Sequence, residues 1–298
     1  MNKKTKQCNL CPRNCNTDRS INYGYCKVSD EIKIARAALH HWEEPCISGT
    51  KGSGTVFFCG CNLGCVFCQN HEISRGLSGK TVSVQRLSEI FLELAKSGAH
   101  NINLVTPTHY TDKIIEAIDL VKGKINIPFV WNTSGYEKVE TINKLDGYID
   151  IYLTDIKYFS TEISKKYSHA ADYFEYTISS LEEMIDQTSS PKFDDSGIMK
   201  SGVIVRHLVL PSLRHDSIAI LNELAKRFNK SDFILSIMSQ YTPNNNIADF
   251  PEINRRVTSF EYNSVIDEAL RLGFDTAFMQ EKTSADSSYT PPFDLSGV

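Results

Sequence analysis

All nine cysteines of this 298-residue chain lie between Cys8 and Cys68, and the 230 residues that follow contain none. An odd number cannot pair completely within one chain, and the disulfides of a small secreted domain would be spread along it. Cysteines crowded into one end of a long chain point instead to metal or iron–sulfur ligation. The start agrees: Met1 to Gln7 are polar, no apolar signal-peptide core follows, and no run approaches the roughly 20 apolar residues of a membrane span. A cytoplasmic protein without a membrane partner is expected. The net charge is −4, and Lys3-Lys4 with Lys6 is too short a run for a basic arm, so no nucleic-acid partner is expected either.

Three regions follow from the pattern: a cysteine-rich, irregular, metal-binding extension (1–50), a core (51–245), and a tail with one helix packed on that core (246–298). The core alternates short apolar runs with amphipathic ones. The runs Thr55–Phe58, Ile102–Val105, Phe129–Asn132, Ile149–Asp155, Val203–Leu210 and Phe233–Met238 read as strands buried on both faces. Val84–Ser97, Thr111–Val121 and Ile218–Phe228 carry apolar residues at helical spacing, with Asp216-Ser217 as the expected cap of the last. Ser189–Ser201 reads as a loop. Six βα units with parallel strands fall short of the eight that close a TIM barrel, so the fold class is α/β, a partial (βα)6 TIM-like barrel. Ligands in such folds sit at the carboxyl ends of the strands.

Directly after the first strand the chain reads Cys59-Gly-Cys61-Asn-Leu-Gly-Cys65-Val-Phe-Cys68-Gln-Asn-His71. A [4Fe–4S] cluster normally takes four thiolates. Three closely spaced ones, Cys61, Cys65 and Cys68, leave one iron open to another ligand, as a catalytic zinc keeps an open position. Gly60 and Gly64 permit the tight turns. The competing reading is a structural zinc with Cys59 or His71 as fourth ligand; Cys59 itself fits a buried thiol at a strand end.

The CxxxCxxC spacing with Phe67 before its third cysteine resembles the signature of the radical S-adenosylmethionine (SAM) superfamily. Asp155-Ile-Lys157-Tyr and Arg206-His-Leu-Val-Leu-Pro211 extend the likeness to the pyruvate formate-lyase activating enzyme-like branch. The resemblance implies a cluster on Cys61, Cys65 and Cys68 that reductively cleaves SAM to a 5′-deoxyadenosyl radical. It also implies hydrogen abstraction from a glycyl-radical-enzyme partner and a flavodoxin or ferredoxin as electron donor. It places Phe67 near the SAM adenine, Asp155 and Lys157 on SAM, and Arg206 on the same rim. Asp155 and Lys157 also suit a simple ion pair. The chain departs from the branch where Gly-Gly-Glu is expected and reads Val105-Thr106-Pro-Thr108-His109-Tyr110 instead; the two hydroxyls and the imidazole are the substitutes on offer. Asn132 and Ser134 are candidates to face the cofactor, and Gln240 and Tyr241 to line the substrate opening.

Cys8, Cys11, Cys15 and Cys26 form a second set of four thiols within 19 residues, suited to zinc or to an iron–sulfur cluster, with Cys46 as a substitute ligand. A segment this short needs such a group to fold. Two other functions compete with the activase: radical SAM modification of a small molecule or peptide, and a non-catalytic iron–sulfur or zinc protein that passes electrons or scaffolds a complex.

Overall fold

The computed structural model describes residues 7–76, 78–244, 247–274, 278–279 and 290–298. Their strands, in chain order, are β1 (Ile32–His40), β2 (Ser53–Phe58), β3 (Lys80–Val82), β4 (Ile102–Val105), β5 (Phe129–Thr133), β6 (Ile151–Asp155), β7 (Lys192–Phe193), β8 (Met199–Leu208), β9 (Phe233–Met238) and β10 (Phe278–Met279). They join one sheet in the order β10-β9-β8-β6-β5-β4-β2-β1-β3, with β7 paired to β8. From β2 through β10 along this path every pairing is parallel, whereas β1 runs antiparallel to both β2 and β3. The six expected strands are the parallel core, and β2 and β9 are not neighbours. The barrel therefore stays open.

Alternation along the strands sorts two apolar cores. Trp131, Tyr152, Val205 and Leu235 face outward into the helices. Val130, Leu153, Ile204 and Ile234 face inward, where a one-turn helix, Pro45–Ser48, fills the space between them with Cys46 and Ile47. The helix Val84–Lys96 buries the expected Leu87, Ile90, Phe91 and Leu94, and Ser83 caps it by accepting from the Arg86 amide.

Four expectations need correction. The extension is not wholly irregular, because Ile32–His40 adds a nine-residue strand to the sheet; its three alanines and its Lys and Arg hide the pattern. Within Ser189–Ser201, Lys192 pairs with Ser201 and Phe193 with Met199, so β8 starts before Val203. The helix expected from Ile218 begins at Arg214, and Asp216 accepts from the amides of Phe159 and Ser160 rather than capping its own helix. Cys46 is packed in the interior plug, not in a ligand set. In the tail, Ser259–Arg271 is helical behind a Thr258–Glu261 capping box. Further on, Leu295 and Ser296 bond to Ala35 and Ala37 of β1. Among the described residues no helix is long and apolar enough to cross a membrane.

Candidate active site

The loop after β2 holds Cys61, Cys65 and Cys68, all half-buried. Gly60 turns with φ 90° and Gly64 with φ 72°. A Cβ on Gly60 would stand 2.7 Å from the Cys26 carbonyl, and one on Gly64 2.7 Å from Arg75 Nη1, so glycine is required at both. Backbone amides point at the sulfurs: the Leu63 N–H donates to Cys61 Sγ at 3.4 Å, and the Asn70 amide donates to Cys68. The Ser168 hydroxyl donates to Cys65 Sγ at 3.0 Å. Burial, then the neighbouring Cys61 and Cys65, push the Cys68 thiol up to about 12. Burial and Cys65 also raise Cys61. Three crowded sulfurs supplied with N–H and O–H donors fit a cationic iron–sulfur core, which removes the cost of their mutual repulsion.

Around the loop lies an aromatic collar, Phe67, Tyr136, Tyr158, Tyr167, Tyr173 and Tyr241, packed with Leu63. Phe67 is buried edge-on to Tyr158 and Tyr241. Tyr241 does not line an opening; it is buried with its hydroxyl on the Ile253 carbonyl at 2.8 Å.

Above the apolar plug the inward-facing strand ends turn polar. Asp155 at the end of β6 accepts from Lys157 Nζ at 2.5 Å and from Arg206 Nε at 2.8 Å, so the ion pair expected of Asp155 and Lys157 is present. Burial works to raise the Asp155 carboxyl, but the Arg206 and Lys157 charges outweigh it and hold it below the usual carboxylate range. Arg206 Nη2 donates to Asn132 Oδ1 at 2.7 Å. Lys157 also lies within electrostatic reach of Cys61 and Cys65, which ties this group to the three-cysteine loop.

Two acidic residues that sequence reasoning missed complete the layer. Glu43 accepts from Asn103 at 3.1 Å and Asn132 at 3.3 Å, and pairs with Arg206 at 3.4 Å. Glu44 accepts from Ser236 of β9 at 3.0 Å. The segment that begins after β1 therefore reaches β9 on the far side of the barrel opening. Only the order Glu43-Glu44-Pro45, an acidic pair ahead of a helix-starting proline, marks the place in sequence. A cavity of about 580 Å³ lies here, lined among others by Trp42, Glu43, Asn70, Asn132, Arg206 and Gln240.

The substitutes for Gly-Gly-Glu part ways. Thr106 adopts φ 57° at the end of β4, its amide donating to the Asn132 carbonyl at 2.9 Å. Thr108 and His109 turn inward, away from cofactor duty. The Thr108 hydroxyl donates to the buried Glu137 at 2.5 Å, and His109 Nε2 to the Cys59 carbonyl at 2.8 Å. Cys59 is a fully buried thiol, as expected. Ser134 Oγ, near the end of β5, is buried without a partner, an orphan that a ligand hydroxyl or amine would satisfy.

The N-terminal thiols are packed against this loop. Cys11 and Cys26 are buried, Cys8 and Cys15 half-buried, and all four are free. The Cys61 amide donates to the Cys26 carbonyl at 3.3 Å.

The Radical SAM superfamily model matches residues 55–194. A Methanocaldococcus jannaschii protein, named only as uncharacterized, is 30% identical over 282 residues, covering 92% of this chain and 77% of that one. Among solved structures, the FeFe-hydrogenase maturase HydG of Carboxydothermus hydrogenoformans is similar in fold, with a TM-score of 0.52 at 14% identity over 79% of this chain and 56% of its own. Streptococcus suis SuiB bound to its precursor peptide SuiA gives 0.49 at 13% identity, over 74% of this chain and 46% of its own. The chain thus spans about half the length of these two solved proteins.

Proposed function

The chain belongs to the radical SAM superfamily, and from that premise we propose that it cleaves SAM reductively at the Cys61–Cys65–Cys68 loop and abstracts hydrogen from a substrate in the adjoining cavity. A [4Fe–4S] cluster with one open iron supplies, when bound, the electron that splits SAM into methionine and a 5′-deoxyadenosyl radical. The chain's own residues hold and orient. Arg206 and Lys157 present positive charge where the SAM carboxylate is expected. Asp155, Asn132 and Thr106 offer polar contacts to its ribose and amine. The aromatic collar keeps water from the loop. The observation that carries this reading is one loop presenting three donor-supplied thiols beside a charged, strand-end cavity.

The finer reading is an activase: hydrogen abstraction from a glycine of a protein partner, with a flavodoxin or ferredoxin as electron donor. It draws its support from Asp155-Ile-Lys157-Tyr and Arg206–Pro211, which resemble the pyruvate formate-lyase activating branch. A second reading, a small molecule or short peptide as substrate, is favoured by the Glu44–Ser236 bond across the opening and by a cavity within the 300–1,000 Å³ range of small-ligand sites.

Anaerobic reconstitution tests the core of the proposal. Reduced with dithionite and given SAM, the protein releases 5′-deoxyadenosine, and Cys65→Ala releases none. An intact, reducible cluster with no release from the wild type would defeat it. A glycyl-radical EPR doublet on an added glycyl radical enzyme favours the activase; its absence, with deuterium from a labelled small substrate entering 5′-deoxyadenosine, favours the second reading.

A further inference from the structure

The N-terminal cysteines are held by backbone geometry rather than by an apolar core of their own. Antiparallel bonds from the Cys8 amide to Thr17 O at 2.9 Å and from the Asn16 amide to Cys8 O at 3.1 Å set Cys8 across from the Cys15 end of the turn. Asn14 and Asn16 take φ 45° and 49°, left-handed positions that asparagine tolerates. The turn so formed aims donors at sulfur: the Tyr25 amide donates to Cys15 Sγ at 3.2 Å, and the Arg13 amide donates to Cys11. Cys26 comes within electrostatic reach of Cys8 and Cys15, and Cys11 within reach of Cys15 and Cys26. Gly24 leaves the space between two of them open. A Cβ there would stand 3.3 Å from Cys26 Sγ and 3.7 Å from Cys15 Sγ.

Four free thiols brought together around Cys26, two of them receiving backbone N–H donors, are a ligand set. The choice of occupant follows from the neighbour. The Cys26 carbonyl is bonded to the Cys61 amide, so a group held here lies against the loop read above as a cluster site. Zinc has no redox chemistry, whereas an iron–sulfur cluster at this place can pass an electron to that loop.

We propose that Cys8, Cys11, Cys15 and Cys26 bind a second iron–sulfur cluster of the four-thiolate kind. It is seated directly against the first loop through the Cys26 carbonyl, which meets the Cys61 amide and leaves no room for a side chain on Gly60.

The test is metal and sulfide analysis with Mössbauer spectroscopy on protein reconstituted anaerobically with ferrous iron and sulfide. The wild type should hold about eight irons and eight sulfides per chain without zinc, and Cys11→Ser/Cys15→Ser and Cys61→Ser/Cys65→Ser/Cys68→Ser about four irons each. About four irons in the wild type that persist in the N-terminal variant, or one zinc per chain that this variant loses, overturns the inference and leaves SAM cleavage standing. About four irons that survive loss of Cys61, Cys65 and Cys68 but not of Cys11 and Cys15 sustains it and defeats the SAM reading. Should a variant fail to fold, the wild-type spectrum still decides: two cluster environments support the proposal, and one belonging to a three-thiolate cluster refutes it.

Discussion

Arg13 Nε donates to the Asn62 carbonyl at 2.8 Å, joining the N-terminal cysteine turn to the loop that carries Cys61, Cys65 and Cys68. The same guanidinium donates to Leu63 O at 3.0 Å, to Ser168 O at 2.8 Å and to His169 O, and it stacks 3.9 Å over the Tyr25 ring. One side chain thus satisfies four carbonyls, two in the three-cysteine loop and two at the C-terminus of the helix Thr161–Ser168. Arg13→Ala should lower stability by about 2–4 kcal/mol, since bonds to a charged donor contribute more than neutral ones and the carbonyls are left without it. Arg13→Lys, lacking the planar fork, should recover only part. Urea unfolding checks both; a shift under about 0.5 kcal/mol for the alanine variant would contradict the bolting role.

Arg206 is the hub of the polar layer, shared by Asp155, Asn132 and Glu43. Removing it as Arg206→Ala leaves the buried Asp155 and the half-buried Glu43 carboxylates short of charge, a change that costs about 3–5 kcal/mol. Asp155→Asn/Arg206→Met should be less destabilised than the sum of its single variants, because each removes what the other leaves unpaired. A double-mutant cycle measures that coupling. SAM affinity should fall in all three.

Glu137 titrates in the neutral range. Burial raises its carboxyl to about 7 against the hydroxyls of Thr108 and Thr133, which donate to it. The folded state then binds a proton that the unfolded chain releases near pH 4.5. Stability therefore falls as pH rises from about 4.5 to 7, and the loss is complete above that. Glu137→Gln should flatten this slope, whatever it does to absolute stability.

The opposite slope belongs to two histidines. A carbonyl only accepts, so His109 carries its proton on Nε2 toward Cys59 O and His207 on Nδ1 toward Ile156 O at 2.7 Å. The remaining nitrogens are buried without partners. Burial lowers His109 to about 3 and His207 to about 4. From pH 6.5 down to about 4 the unfolded chain takes up protons that the folded one refuses, so stability drops on acidification. His207→Asn should reduce that drop in thermal melts between pH 7 and 4.

How far these features could be read in advance depends on how local their cause is. The six core strands are continuous apolar runs and the three-cysteine loop is a fixed spacing, so both are legible. Asp155, Lys157 and Arg206 are pointed out by the resemblance of their segments to a known branch, and each stands at or near a strand end, where ligands of such folds sit. Glu43 and Glu44 are not, because their role arises when a segment outside the core folds over the opening, and nothing local encodes that reach. The strand Ile32–His40 was hidden for a related reason: its alanines gain strand structure from pairing with β2, not from propensity. Thr108 and His109 carry suitable chemistry but point the wrong way, a matter of the 3₁₀ turn at Thr108–Tyr110.

Thr106 holds a backbone position that β-branched residues avoid, φ 57° at the end of β4. An L-residue there costs roughly 1–2 kcal/mol that glycine escapes. Ordinarily alanine is more stabilising than glycine by roughly 0.5–1 kcal/mol, through the unfolded chain's entropy. At this position the strain should offset or reverse that order, making Thr106→Gly at least as stable as Thr106→Ala. Equal loss of SAM affinity in both variants would assign the contact to the hydroxyl. Retained affinity in the glycine variant alone would assign it to the backbone geometry, the feature a Gly-Gly-Glu segment supplies without strain. Alanine more stable than glycine by a full 1 kcal/mol would mean that no strain is stored here.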